Sequence, residues 1–317
     1  MNKFSKNIPY PFFCFILLFL SALLYVFSAV DFIPGTPALE KEREYHIDYI
    51  KNPVSDISYS LSSETCRLDI IAPQKHDKLL PVIIYYHGGG WIGGERQSYT
   101  DFCQRVADKG FLVVNVDYRL LPEADFPAFL QDAQDAYFWV NQHIASYGGD
   151  SANIFLCGDS AGAHISALCA NSLTNPYFTD KCGTRNASLD NIRGLGLLCG
   201  VYDIELMGEI PGARSMTESL IGKSKIENVE ENLEILTVTG HIGKDYPPCF
   251  ITTCYYDPLN NQVEPFIKDL VKFDIGFDLL FYDASHTKLG HCYQVAESEE
   301  SEECITRMTD FFLSCCV

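Results

Sequence analysis

The chain has 317 residues, 47% of them hydrophobic and 21% charged, which sets it among globular proteins and far from disordered ones. Aspartate and glutamate number 42 against 23 lysines and arginines, a formal charge of −19. No basic run overrides that surface, so it repels phosphate backbones and excludes nucleic acid as a partner.

The first element lies at the front. After Lys3 and Lys6, residues 7–30 carry no charge and include the apolar run PFFCFILLFLSALLYVFSAV. A helix crosses a bilayer with about 20 apolar residues, whereas the core of a signal peptide needs about 7–15 and ends in small residues. Length therefore favours an N-terminal hydrophobic helix that acts as a signal anchor over residues 1–30. Ser28-Ala29 leaves a cleaved signal peptide open, and a buried core helix is disfavoured because the run has no polar face. The basic flank precedes the segment, which places the body across the membrane. The expected localisation is the secretory pathway, as a single-pass membrane protein with a lumenal or extracellular body, or secreted if the segment is cleaved. The membrane is then a partner through this segment. Thirteen cysteines suit that compartment. Cys103, Cys182, Cys304, Cys315 and Cys316 read as available for pairing, while Cys157 and Cys199, in strand-like runs, read as buried thiols. Asn186-Ala187-Ser188 is a glycosylation sequon that matters only for a lumenal body.

A linker and amino-terminal segment, 31–65, carries Pro34, Gly35 and Pro37 and leads into a body at 66–317. The predicted strands are Leu68–Ala72, Leu80–Tyr86, Phe111–Val116, Asn153–Cys157, Leu195–Cys199, Cys249–Cys254 and Phe277–Tyr282. Between them, helical spacing marks Tyr99–Lys109, Phe126–Ile144, Ala161–Ala170 and Val263–Phe273. Short apolar strands alternating with helices argue for an α/β fold, a mostly parallel central sheet flanked by helices. Residues 203–244 break the alternation and read as a helical insertion over the sheet's top edge. The glutamates from Glu297 to Glu303 open a terminal helix whose dipole they complement. In such sheets a ligand sits beyond the carboxyl ends of the strands.

Two motifs stand at those ends. Gly158-Asp159-Ser160-Ala161-Gly162 is a G-x-S-x-G run that follows a strand and opens a helix. A serine on that sharp turn presents its hydroxyl at the sheet edge, and the glycines let strand and helix approach. His87-Gly88-Gly89-Gly90-Trp91 ends the strand Leu80–Tyr86. Three glycines let a backbone turn its N–H groups inward, which makes an oxyanion hole without side chains. The expected donors are Gly89, Gly90 and Ala161, with His87 bracing the loop.

HGGGW, DYRLLPEADFP, YGGD and GDSAG together resemble the hormone-sensitive-lipase-like branch of the α/β-hydrolases, which includes bacterial acetyl esterases and arylacetamide deacetylase. The resemblance runs from about Leu68 to Phe312 and departs at Leu121, where the family has alanine before the proline. It implies the α/β-hydrolase fold and a serine carboxylesterase for small-molecule or lipid esters, short-acyl ones first. In this fold the nucleophile is followed by an acid and then a histidine. Asp257, in DPL, resembles the family's acid, with Asp203 as competitor. His291, in LGHCY, resembles the family's His-Gly-Phe with Cys292 and Tyr293 substituted, and His286 is the competing base. Ser160, Asp257 and His291 are thus the expected catalytic triad. His164 reads as a packing histidine. Cys249 and Cys254 lack a second ligand pair, and the chemistry calls for no metal and no organic cofactor. The alternatives are an amidase, formamidase or lipid deacylase on the same triad, and a non-catalytic binding protein of this fold.

Overall fold

Strand composition organises the body. β3 (Leu80–Tyr86, LPVIIYY) and β4 (Leu112–Val116, LVVNV) are apolar along nearly their whole length. A strand needs that only when both faces of its sheet are covered. In the computed structural model, which describes residues 53–73, 78–210, 212–222 and 228–317, they sit centrally. The other strands are β1 (Val54–Ser58), β2 (Arg67–Ile71), β5 (Gly149–Asp159), β6 (Ile192–Leu198), β7 (Cys249–Cys254) and β8 (Phe277–Tyr282). The order across the sheet is β1-β2-β4-β3-β5-β6-β7-β8. β2 runs antiparallel to both β1 and β4, and every later pairing is parallel. This is the α/β-hydrolase fold.

Side-chain alternation divides the core. Val82, Ile84 and Tyr86 of β3 point into one apolar layer, with α2 (Ala128–His143), α3 (Ala161–Thr174) and α8 (Val263–Lys272). Ile83 and Tyr85 point into the other, against α1 (Thr100–Ala107) and the terminal α9 (Glu299–Cys315). Ser298 caps α9 by accepting from the Ser301 N–H, and Glu299, Glu300 and Glu302 fill its first turn. Four further α-helices complete the described part: α4 (Pro176–Cys182), then α5 (Ile204–Gly208), α6 (Arg214–Gly222) and α7 (Val229–Leu236) between β6 and β7. Asn175, Asp203 and Asn228 cap α4, α5 and α7 with side-chain oxygens. Asp203, the competing acid, is therefore a helix cap that accepts from the Leu206 N–H at 2.9 Å.

Two arginines tie the loops to the sheet through ion pairs. Arg96, 6% exposed, reaches Asp117 after β4, Asp69 of β2 at 3.1 Å and Asp56 of β1 at 3.1 Å. Arg119 of the DYRLLP run holds the fully buried Asp132 of α2 through Nε and Nη2.

The membrane placement expected from the sequence is corrected here. The uncharged segment at 7–30 lies outside the described residues, and among those described no helix is long and apolar enough to cross a membrane. The secretory, single-pass placement with a lumenal or extracellular body, and the membrane as a partner, do not stand on this structure. The cysteines expected to pair are also corrected. The described cysteines are free thiols, and Cys103, Cys182 and Cys304 are buried. They fill the core as small apolar side chains.

Candidate active site

Every functional element sits at the carboxyl end of a parallel strand. Ser160 lies on the turn between β5 and α3 with φ 51° and ψ −117°, a left-handed conformation unusual for a residue with a Cβ. The Ser160 N–H donates to the Leu198 carbonyl at 2.8 Å, and its carbonyl accepts the His164 N–H at 3.1 Å, so both neighbours hold the turn. Glycine is required beside it. A Cβ on Gly162 would stand 1.8 Å from the Tyr86 carbonyl oxygen, so only a bare backbone lets α3 start this close to β3.

Asp257 follows β7 by three residues and has no exposed side chain. Its Oδ1 accepts the Leu259 N–H at 2.9 Å and its Oδ2 accepts the Thr253 hydroxyl at 3.0 Å. His291 comes from the loop after β8. Its Nδ1 is 2.9 Å from Asp257 Oδ1 and its Nε2 is 2.9 Å from Ser160 Oγ. The residues read from the sequence as nucleophile, acid and base thus form one hydrogen-bonded chain. Burial alone would raise the Asp257 pKa, but the His291 partner and the Leu259 N–H outweigh it and hold the carboxyl below its ordinary range. Burial would lower the His291 pKa, yet the hydrogen bond and charge of Asp257, with a contribution from Cys199, lift it above 6.5. His286 is left outside, in an exposed turn with Asp283 at 3.3 Å.

The glycine loop after β3 faces this chain. Gly89 has φ 128°, and a Cβ there would stand 2.0 Å from the Gly93 carbonyl oxygen, so no other residue fits. The N–H groups of Gly89, Gly90 and Ala161 have no protein acceptor among the described residues. The Gly88 N–H is used differently: it donates to Asp159 Oδ1 at 2.8 Å. The same carboxylate accepts the Tyr85 hydroxyl at 2.7 Å and the Tyr99 hydroxyl at 3.1 Å. Asp159 thereby fastens the loop to the serine turn. His87 braces the loop from below, stacked on Tyr118 with ring centroids 4.4 Å apart and hydrogen-bonded through Nδ1 to the Gly88 carbonyl at 2.7 Å. Burial lowers its pKa. His164 is a packing histidine, fully buried, donating from Nε2 to the Leu236 carbonyl at 2.7 Å, with its pKa lowered by burial to about 4.

Residues 68–264 match the family model BD-FAE. The chain belongs to the BD-FAE family. The matched stretch carries HGGG, GDSAG and Asp257 and ends before His291. Among curated relatives, this BD-FAE chain is similar to Esterase LipQ of Mycobacterium tuberculosis, 26% identical over 266 residues, 81% of this chain and 61% of that one. It is also similar to Carboxylesterase NlhH of the same species, 45% identical over 92 residues, 29% of each chain. It thus spans less than two thirds of the length of those relatives. Among solved structures, esterase B of Lactobacillus rhamnosis superposes with a TM-score of 0.77 at 22% identity, covering 88% of this chain and 92% of that one. The resemblance drawn from HGGGW and GDSAG is borne out by these relatives.

Three neighbours of the site escaped the sequence reading. Asp159 occupies a variable position of G-x-S-x-G, so the motif carries no signal for it. Met216 of α6 reaches the glycine loop: a Cβ on Gly90 would stand 2.9 Å from its Sδ. Cys199, read only as a buried thiol, directly follows β6 and lies beside Asp257 and His291.

Proposed function

We propose that this BD-FAE protein hydrolyses carboxylic esters through Ser160, Asp257 and His291, with 66–317 as the catalytic body and 203–244 as its insertion. The hydrogen-bonded chain from Asp257 through His291 to Ser160, 2.9 Å at each step, carries the reading. His291 Nε2 takes the hydroxyl proton as Ser160 Oγ attacks the ester carbonyl, and Asp257 fixes the tautomer by holding the Nδ1 proton. The developing oxyanion is held by the N–H groups of Gly89, Gly90 and Ala161, each worth roughly 3 kcal/mol in comparable sites. His291 then returns the proton to the leaving alcohol, and water releases the acid from the acyl-enzyme. The named esterases among the relatives support the reaction class.

A short acyl group is favoured by the insertion. Met216 against Gly90 narrows the space beside the glycine loop. Nitrophenyl esters of rising chain length test this: kcat/KM is highest for the shortest acids, and Met216→Ala moves the optimum to longer ones. A wild-type preference for long chains contradicts the short-acyl reading, and failure to cleave any ester contradicts the reaction.

A further inference from the structure

Ester hydrolysis as derived above makes no use of Cys199, yet this residue holds a demanding position. It directly follows β6 with φ 51°, a left-handed conformation for a residue with a Cβ, and it is 1% exposed. Its Sγ, a carboxylate oxygen of Asp257 and a ring nitrogen of His291 all lie within 4.8 Å of one another. Gln294, also fully buried, brings its Oε1 to 3.6 Å from the same sulfur and leaves its Nε2 without a hydrogen-bond partner among the described residues. Thiolate, imidazole and carboxylate are together a zinc ligand set, bound at about 2.0–2.3 Å from the ion. Donors around a tetrahedral ion at those bond lengths stand roughly 3.3–3.8 Å apart, so the Cys199 sulfur must approach by up to about 1 Å while His291 Nδ1 and Asp257 Oδ1, 2.9 Å apart, open by roughly 0.4 Å or more.

We propose that Cys199, Asp257 and His291 form a site for a thiophilic divalent cation such as zinc, and that filling it disarms the base. The nitrogen of His291 facing Asp257 is Nδ1, and the one facing Ser160 is Nε2. Loading releases the Cys199 thiol proton to solvent and places the cation on the Nδ1 lone pair. The ring proton moves from Nδ1 to Nε2, so Nε2 has no lone pair left to accept the Ser160 proton. No electron is transferred. Gln294 Oε1 loses its thiol donor in the same event and becomes available as a fourth oxygen. The binding half of this inference stands on the cluster alone, and the inhibition half rests on the serine-hydrolase reading.

The test uses the full-length protein under reducing conditions. Cobalt(II) titration gives a thiolate-to-metal charge-transfer band and intense tetrahedral visible absorption. Both are retained in Ser160→Ala and lost in Cys199→Ala and Cys199→Ser. In parallel, zinc inhibits ester cleavage reversibly, a chelator restoring it. The zinc concentration for half inhibition rises at least about tenfold in Cys199→Ala, each variant being compared with its own metal-free rate, because losing a ligand costs no less than losing a ligand's supporting partner. A cobalt spectrum unchanged by Cys199→Ala, or no tetrahedral spectrum at saturating cobalt, overturns the site. Equal zinc sensitivity of the two proteins overturns the inhibition. Absent hydrolysis without any metal counts against the esterase reading instead, and the cobalt spectrum still decides the site.

Discussion

Asp159 gives the most instructive perturbation, because two substitutions there are expected to diverge. Its carboxylate accepts three hydrogen bonds: the Gly88 N–H and the Tyr85 hydroxyl on Oδ1, and the Tyr99 hydroxyl on Oδ2. In Asp159→Asn the new side chain would keep the first two on its carbonyl oxygen and donate from its amide to the Tyr99 oxygen, whose hydroxyl proton is free to rotate away. What this variant loses is charge assistance, about 1–2 kcal/mol. Asp159→Ala strands the Gly88 N–H and the Tyr85 hydroxyl, both buried. At about 1–3 kcal/mol for each orphaned group the fold loses roughly 2–6 kcal/mol. The glycine loop also loses its tether to the serine turn. If one oxyanion donor is misplaced as a result, kcat falls by about 10²–10³-fold with a smaller change in KM. Urea unfolding and steady-state kinetics on both variants measure these effects. A kcat and urea midpoint for Asp159→Ala equal to those of the wild type would refute the tether.

Other expectations follow the same logic. Arg96→Met removes the cation between Asp56, Asp69 and Asp117, leaving the largely buried Asp69 and Asp117 carboxylates uncompensated, and costs about 3–5 kcal/mol in urea unfolding. His291→Ala drops ester hydrolysis to near background while His286→Ala keeps most of it, because only His291 lies between Asp257 and Ser160; the reverse ranking in steady-state assays moves the base to His286. The acid limb of the kcat/KM profile falls above pH 6.5, since His291 must be neutral to act and Asp257 raises its pKa. The stabilising effect of that same pair is complete below the unfolded imidazole pKa and fades as pH rises through the folded one. Activity and this part of stability therefore run in opposite directions with pH, and a parallel rise in both would contradict the pairing.

What the sequence made legible is what backbone geometry demands. HGGG and GDSAG could be read because glycine is the only residue that fits φ 128° at Gly89 or a 1.8 Å approach at Gly162. β3, β7 and β8 match their predicted limits, since apolar runs between turn residues leave little choice. β1 was missed because VSDIS is an edge strand with mostly exposed side chains and no buried alternation. β5 begins at Gly149 rather than Asn153, since its first residues pair with Leu80 and Pro81 across an irregular register that no periodicity announces. The helices between β6 and β7 have five to nine residues, too short for a periodic signal, although Asp203 and Asn228 mark two of their starts. The place of Asp159 and Cys199 in the site could not be read, although Cys199 was legible as a buried thiol, because their contacts come from residues distant in the chain that the sheet brings together.

The reading of Ser160 as nucleophile is tested most directly by covalent labelling. A nitrophenyl phosphonate, which reacts with an activated serine as an ester would, is incubated with the full-length protein and with Ser160→Ala, followed by intact mass measurement and peptide mapping. The account predicts one adduct on Ser160 of the wild type, loss of esterase activity in step with its formation, and neither adduct nor turnover in a folded Ser160→Ala protein. An adduct mapped to another residue, or undiminished ester cleavage by Ser160→Ala, would contradict it.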